Sequence, residues 1–161
     1  MERLADAPQC RIIDFIPYVP VGTSFSRLED DMEVHYRPAH ADKMVLLLLV
    51  LMYRYPDCVV YVEDDLGQIY QDHPGLERDR DVRDFPPEQV AAYVRDIIVN
   101  ERASMSFFFP DIDCLLRLTG GFRNEIFGSS PEFDELLAAL VHQHGLYLKT
   151  VTDERPDPRP C

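Results

Sequence analysis

The sequence predicts an α+β fold, a mostly antiparallel sheet of about five to six strands with three helices packed on it. Short apolar runs rich in β-branched residues alternate with stretches of helical periodicity, and a Gly-Gly pair separates two of these runs. Hairpins mixed with separated helices are typical of antiparallel sheets covered by helices. The 161 residues suit one domain, which we expect to span residues 1–152, with residues 153–161 as a flexible tail.

The first third of the chain predicts a strand, a loop and a helix. Residues 10–19 are predicted to form a strand that Pro17 shortens or bends at a sheet edge. Residues 20–37 hold Gly, Ser and a cluster of acids, which favours a long surface loop, with or without a short turn of helix. Pro38 suits the start of a helix over residues 39–54. Apolar residues lie on nearly every side of this helix, so we expect the rest of the protein to cover most of its surface.

The middle of the chain predicts a buried strand followed by an amphipathic helix. Residues 58–62 are short and β-branched, as in a buried strand, and residues 68–70 are expected to return as a second short strand. Residues 71–85 alternate in charge and predict a solvated loop. The helix that Pro86-Pro87 opens has its apolar residues at helical spacing: Val90, Tyr93, Val94, Ile97 and Ile98.

A strand over residues 104–109, ended by Pro110, precedes a predicted hairpin of residues 113–119 and 122–127. A two-residue turn would mix apolar and charged faces. A three-residue loop pairs Leu118 with Phe122 and Cys114 with Ile126, which places the apolar residues on one face and is therefore the predicted register.

That register sets Arg117 opposite Arg123 on the other face of the hairpin. Like charges placed opposite one another destabilise a hairpin. Either an acid such as Glu125 relieves the repulsion, or the two arginines form a patch kept for a partner.

The last unit predicts a helix and a strand. Ser129 or Ser130 caps the helix, Pro131 occupies its first turn and Gly145 ends it. Its buried residues are predicted to be Phe133, Leu136, Leu137, Leu140 and Val141. Residues 146–151 then supply a final strand.

Charge is the compositional outlier, because 29 acids against 16 bases leave a formal net charge of −13. Phosphate backbones and anionic membranes select basic proteins, so neither nucleic acid nor a membrane is an expected partner. A basic protein would be attracted, although an acidic surface also serves solubility alone.

The four cysteines, Cys10, Cys58, Cys114 and Cys161, are widely spaced and include no Cys-x-x-Cys pair. We expect reduced thiols and a cytoplasmic protein without a cofactor. The first residues lack a signal-peptide pattern, and the longest apolar run, residues 44–53, is too short to span a bilayer.

The candidate metal-binding groups in the sequence are acidic residues. Asp111 and Asp113 precede one strand, and Glu63, Asp64 and Asp65 follow another. If they converge, they could hold Mg²⁺ or Ca²⁺, which would make the chain a metal-dependent hydrolase. However, no EF-hand, nucleophile elbow or phosphate loop is encoded, and no His spacing suits zinc. We therefore predict no catalytic residue and no metal ligand.

Two stretches together resemble a known class of protein. Residues 11–17, and residues 109–113 through 127–128 with the helix to 145–147, are similar to parts of bacterial immunity proteins of polymorphic-toxin or effector systems. The resemblance covers about a third of the chain. It implies a cytosolic inhibitor that blocks a cognate toxin through a tight, non-covalent interface.

We expect such a partner to have a basic surface and to meet acidic loops of this chain. The residues predicted to bind it are Glu29, Asp30, Asp31, Glu33, Glu63, Asp64, Asp65, Arg117 and Arg123. The alternatives are the hydrolase built on clustered Asp and Glu, and a non-enzymatic regulatory or scaffold module.

Overall fold

The computed structural model describes residues 10–17, 26–64, 67–78, 80–122, 124–128 and 130–151, with backbone only for residues 26–33 and 151. The predicted tail, residues 153–161, lies outside these ranges. The helices and strands are, in chain order, β1 (Cys10–Asp14), α1 (Ser26–Arg54), β2 (Val59–Glu63), α2 (Gln68–Asp72), α3 (Pro87–Asn100), β3 (Ser104–Phe109), β4 (Cys114–Leu118), β5 (Asn124–Phe127), α4 (Pro131–Gln143) and β6 (Tyr147–Val151).

The strands form one six-stranded sheet in the order β2-β3-β4-β5-β1-β6. Every strand pair is antiparallel, which confirms the α+β fold. Of the two effects predicted for Pro17, the bend at a sheet edge is wrong, because β1 pairs with both β5 and β6, whereas the strand is shorter than residues 10–19. Pro17 is compatible with this inner position since β1 ends at Asp14, before the proline could interrupt the ladder.

Helix α1 begins at Ser26 and contains Pro38, so the loop predicted for residues 20–37 is wrong from residue 26 onward. Glu29, Asp30, Asp31 and Glu33 therefore belong to the first turns of a helix and not to a loop. A proline inside a helix costs about 3 kcal/mol. Burial of the C-terminal half of α1 offsets this cost through four side chains that are at most 1% exposed: Met44, Leu47, Leu48 and Leu51.

The core lies between one face of the sheet and the helices α1, α3 and α4. On β3, Met105, Phe107 and Phe109 alternate toward this face, and all three are fully buried. The Tyr55 ring at the end of α1 lies 6.0 Å from the Phe109 ring and 5.9 Å from the Phe133 ring of α4, measured between centroids. Aromatic contacts thus join α1, the sheet and α4.

Residues 68–70, predicted to be a strand, form the short helix α2. The reason is the buried carboxylate of Asp64, which accepts hydrogen bonds from the backbone N–H groups of Gly67 (2.9 Å) and Ile69 (2.7 Å). Gly67 adopts a left-handed φ of 73°, which turns the chain into the helix. The Tyr70 hydroxyl then donates to the Val62 carbonyl at 2.9 Å.

The outer edge of β2 is closed by the segment that follows α2. The Val60 N–H donates to the Asp81 carboxylate (3.0 Å), and the Val60 carbonyl accepts from the Val82 N–H (3.0 Å). Val82 is fully buried. Part of the predicted solvated loop 71–85 therefore protects an edge strand from pairing with another chain.

The β4–β5 hairpin has a longer loop than predicted. Leu118 pairs with Asn124 and Leu116 with Ile126, so the register differs by two residues from the predicted pairing of Leu118 with Phe122. A shift of two keeps every side chain on its predicted face, because side chains alternate with a period of two. Arg117 now stands opposite Glu125, and the predicted Arg117–Arg123 pairing is wrong.

The structure confirms the predicted position of helix α4 and its N-terminal cap. The Ser130 hydroxyl accepts a hydrogen bond from the Phe133 N–H at 3.3 Å. Gly145 adopts a φ of 63° just after the helix, as expected of a C-terminal glycine.

Removing the Asp64 carboxylate should destabilise the protein. We expect Asp64→Ala to lower the free energy of unfolding by about 2–3 kcal/mol, since the buried N–H of Ile69 and the partly buried N–H of Gly67 lose a charged acceptor. Urea unfolding measures the change. The exposed neighbour Glu63 is the control, because Glu63→Ala should change stability by less than about 0.5 kcal/mol. Equal losses in the two variants would contradict the capping role.

Candidate partner-binding site

The acids predicted to bind a partner are not equivalent in the structure. Asp64 is 4% exposed and both its oxygens cap α2, so it is unsuited to contact a partner. Glu63 is exposed, with the Ser104 hydroxyl 3.4 Å from its carboxylate. Asp65 and Arg123 lie outside the described residues. For the four acids at the start of α1, only the backbone position is described.

The two acid groups of the alternative metal site do not converge. Glu63 pairs with Ser104 at the start of β3, whereas Asp111 and Asp113 follow the end of that strand. Six strand residues at about 3.4 Å each separate the two groups by roughly 20 Å. Within the described ranges, no group of three or more His, Cys, Asp or Glu could hold a metal ion.

A histidine–carboxylate pair that the sequence did not predict joins α2 to α3. His73 Nε2 lies 3.1 Å from Asp96 Oδ2, and the His73 ring packs edge-on against Tyr93 at 5.0 Å. The two residues are 23 positions apart, so no local motif indicates the pair. Its contacts fasten the short helix α2 to the body of the domain.

The two buried cysteines are poor nucleophiles. Burial raises the pKa of Cys58 to about 11 and that of Cys114 to about 12. The thiolate is the reactive form of cysteine, and it is scarce at neutral pH when the pKa is this high. Both side chains act as small apolar groups in the core.

A buried polar pair links α1 to the sheet. His40 is 2% exposed and Asn124 is fully buried, and their side chains meet at 2.9 Å (Asn124 Nδ2 to His40 Nε2). The rings of Phe15 and Phe122 lie 6.3 and 5.3 Å from the imidazole. Burial lowers the pKa of His40 to about 4, against a smaller opposing effect of Asp14. The histidine is therefore neutral at pH 7.

An exposed apolar row on α1 is the feature best suited to meet a partner. Leu46, Val50 and Tyr53 have i, i+4 and i+7 spacing and lie on one side of the helix. Their exposed fractions are 53%, 40% and 91%. We call these three residues the apolar stripe. The helix is covered on most sides, as predicted, and the apolar stripe lies on its uncovered side. Apolar residues all round a helix do not show which side this is.

A groove of about 520 Å³ continues the apolar stripe between the end of α1 and the start of α3. Its walls are mainly apolar and include Leu49, Met52, Tyr53, Phe85, Pro87 and Val90. The groove is open to solvent along its length, and its volume leaves room for a large apolar side chain. We call it the α1–α3 groove.

The charges around the α1–α3 groove are unbalanced toward negative. Asp57 and Asp84 line it, both are exposed, and neither forms an ion pair with any described residue. The guanidinium of Arg83 is neutralised by Asp81, with Nε 3.2 Å from Oδ2. The C-terminal end of α1 also carries the negative end of the helix dipole. A cation is therefore favoured at this end of the apolar stripe.

No protein-family model, curated protein or solved structure matches the chain. No helix within the described ranges has the length and hydropathy needed to cross a membrane. The case for function therefore rests on the geometry of the described residues.

The low pKa of His40 predicts a pH dependence of stability. The unfolded state, with a pKa near 6.5, binds more protons than the folded state between pH 6.5 and about 4. Stability should therefore fall as the pH drops through this window, by about 3 kcal/mol in total from this residue.

The measurement is urea unfolding at several pH values for the wild type and His40→Gln, which removes the titration and keeps a side chain able to bond Asn124. The variant should show a shallower loss of stability between pH 6.5 and 4.5. If the free energy of unfolding falls with pH equally in the wild type and the variant, His40 is not buried in its neutral form.

Proposed function

We propose that this protein is a cytosolic, non-enzymatic inhibitor that binds and blocks a cognate toxin or effector with a basic surface. The observation that carries the proposal is the apolar stripe leading into a groove with two unpaired carboxylates. The partial resemblance to immunity proteins and the net charge of −13 support the same function.

The apolar stripe supports binding on energetic grounds. Tyr53 leaves 91% of its surface in water although it adjoins an apolar groove. Full burial of an exposed Leu or Val side chain contributes about 1.5–3 kcal/mol, and Leu46 and Val50, at 53% and 40% exposed, would gain about half of that each. Tyrosine is among the residues enriched in interface hot spots. The apolar stripe and the α1–α3 groove together supply the apolar centre that a specific interface needs.

The acids supply attraction and orientation. Asp57 and Asp84 lie at the groove, where they would face basic residues of the partner directly. Glu63 and the acids Glu29, Asp30, Asp31 and Glu33 add to the field that draws a basic protein in. Asp64 is excluded from this role by its buried capping bonds. Charges of this kind raise the association rate more than the final affinity.

Binding to the product of the adjacent gene tests the proposal. We expect the two proteins to co-purify as a 1:1 complex at low salt, with loss of the partner's activity. If the neighbour is not a toxin or effector, or the purified pair fails to associate at low salt, the proposal is wrong. Weak binding to several unrelated proteins would instead favour a scaffold module.

Within that complex, Tyr53→Ala should weaken binding about thirtyfold, which corresponds to about 2 kcal/mol for the loss of an interface hot spot. Isothermal titration calorimetry measures the change. Tyr147→Ala is the matched control, because Tyr147 is also exposed but lies on β6. Equal losses in the two variants would exclude the apolar stripe as the binding surface.

Neutralising the groove acids should slow association. We expect Asp57→Asn with Asp84→Asn to lower the association rate several-fold at low salt, because two charges next to the interface are lost. Stopped-flow measurements at increasing salt provide the internal control. The rates of variant and wild type should converge near 1 M salt, where the screening length falls to about 3 Å. A difference that persists at high salt would contradict an electrostatic role.

A further inference from the structure

The apolar stripe belongs to a longer exposed row on α1. Ala39 and Asp42 precede Leu46 at the same helical spacing, and both are exposed. The row from Ala39 to Tyr53 is about 21 Å long at 1.5 Å per residue. Ala39 is small, and the charge of Asp42 is paired with Arg95 of α3 at 2.7 Å. The row is therefore a narrow, mainly apolar ridge with little uncompensated charge along its length.

The shape of this row favours a helix as its occupant. The backbone groups of a helix are already paired along its length, so an extended strand gains no ladder hydrogen bonds here. A second helix can pack its side chains between those of the row, because ridges with i±3 and i±4 spacing fit into one another. Amphipathic helices commonly bind through anchors at i, i+3, i+4 and i+7.

The charges define the direction of such a helix. The C-terminal end of α1 carries a negative dipole, and Asp57 and Asp84 lie beside it. An antiparallel helix would place its own N-terminal end, which is positive, at these groups. A parallel helix would place its negative C-terminal end there. The antiparallel arrangement is the favourable one, and it is strengthened by Lys or Arg near the N-terminal end of the occupant.

From these observations, and on the basis of the proposed function, we infer that the cognate protein presents a basic amphipathic helix. It packs antiparallel to α1 along the row from Ala39 to Tyr53. One large apolar side chain near its N-terminal end enters the α1–α3 groove, and neighbouring Lys or Arg residues pair with Asp57 and Asp84.

The test uses a defined probe and the intact protein. The probe is an 18-residue peptide, acetylated and amidated, with Leu and Phe at i, i+4, i+7 and i+11 and Lys at most other positions. A second peptide has the same composition in an order without helical period. Chemical-shift changes of the protein's amides and side chains locate the binding, and a spin label at the peptide's N-terminal end reports its direction.

We expect the amphipathic peptide to shift the resonances of Leu46, Val50 and Tyr53, and to bind at least tenfold more tightly than the reordered peptide. The spin label should broaden signals near Asp57 and Asp84. Val50→Ser should weaken binding about tenfold. Val34→Ser is the control, because Val34 is 71% exposed and lies on another side of α1. This variant should bind the peptide as tightly as the wild type.

Any of several results would overturn the inference. The peptides could bind equally well, the shifts could lie away from the apolar stripe, or the label could broaden the Val34 end of α1. Concentration-dependent shifts of Leu46 and Tyr53 without any peptide would identify a second copy of this chain as the occupant and also exclude the inference.

Failure of this inference is distinguishable from failure of the proposed function. If the adjacent gene product binds and is inhibited but Val50→Ser has no effect, the inhibitor function stands and the helix-binding mode is wrong. If the peptide binds as expected but no cognate protein is inhibited, the helix-binding surface stands and the inhibitor function is wrong.

Discussion

Burial of one face of α1 against the antiparallel sheet is the interaction on which the rest of the structure depends. Four nearly inaccessible side chains, at about 1.5–3 kcal/mol each, outweigh the roughly 3 kcal/mol that Pro38 costs within the helix. The helix therefore continues through the proline. Because its inner face is fixed on the sheet, its outer face is fixed as well, and this places the apolar stripe in solvent beside the α1–α3 groove.

Buried polar groups determine the details that apolar packing leaves open. A polar side chain is stable in the interior only where a partner meets it. Asn124 faces the core from β5, where the pairing with β4 begins, and its side chain meets His40 of α1. Asp64 meets two N–H groups and turns the chain after β2 into α2. Each contact joins segments that have no shared local pattern.

The acidic residues of this protein fall into two groups, those that bind other groups of the fold and those that are exposed beside the α1–α3 groove. Asp64 and Asp81 bond the backbone, and Asp96 lies against His73, so these carboxylates serve the fold. Asp57 and Asp84 are exposed beside the α1–α3 groove and lack ion-pair partners among the described residues. A net charge indicates attraction to a basic molecule. It does not indicate which of 29 acids meets that molecule, since this depends on which of them the fold has already engaged.

By itself the sequence determined the α+β class, the antiparallel hairpin, the amphipathic helix α3 and the capped helix α4, because periodicity, capping residues and glycine turns act over a few neighbouring positions. Only the tertiary structure decided the length of α1, the helix at residues 68–72 and the hairpin register. It also decided that Asp64 is structural and that Tyr53 is exposed. These outcomes depend on contacts between residues distant in the chain, and the energies of those contacts exceed the local preferences that a sequence displays.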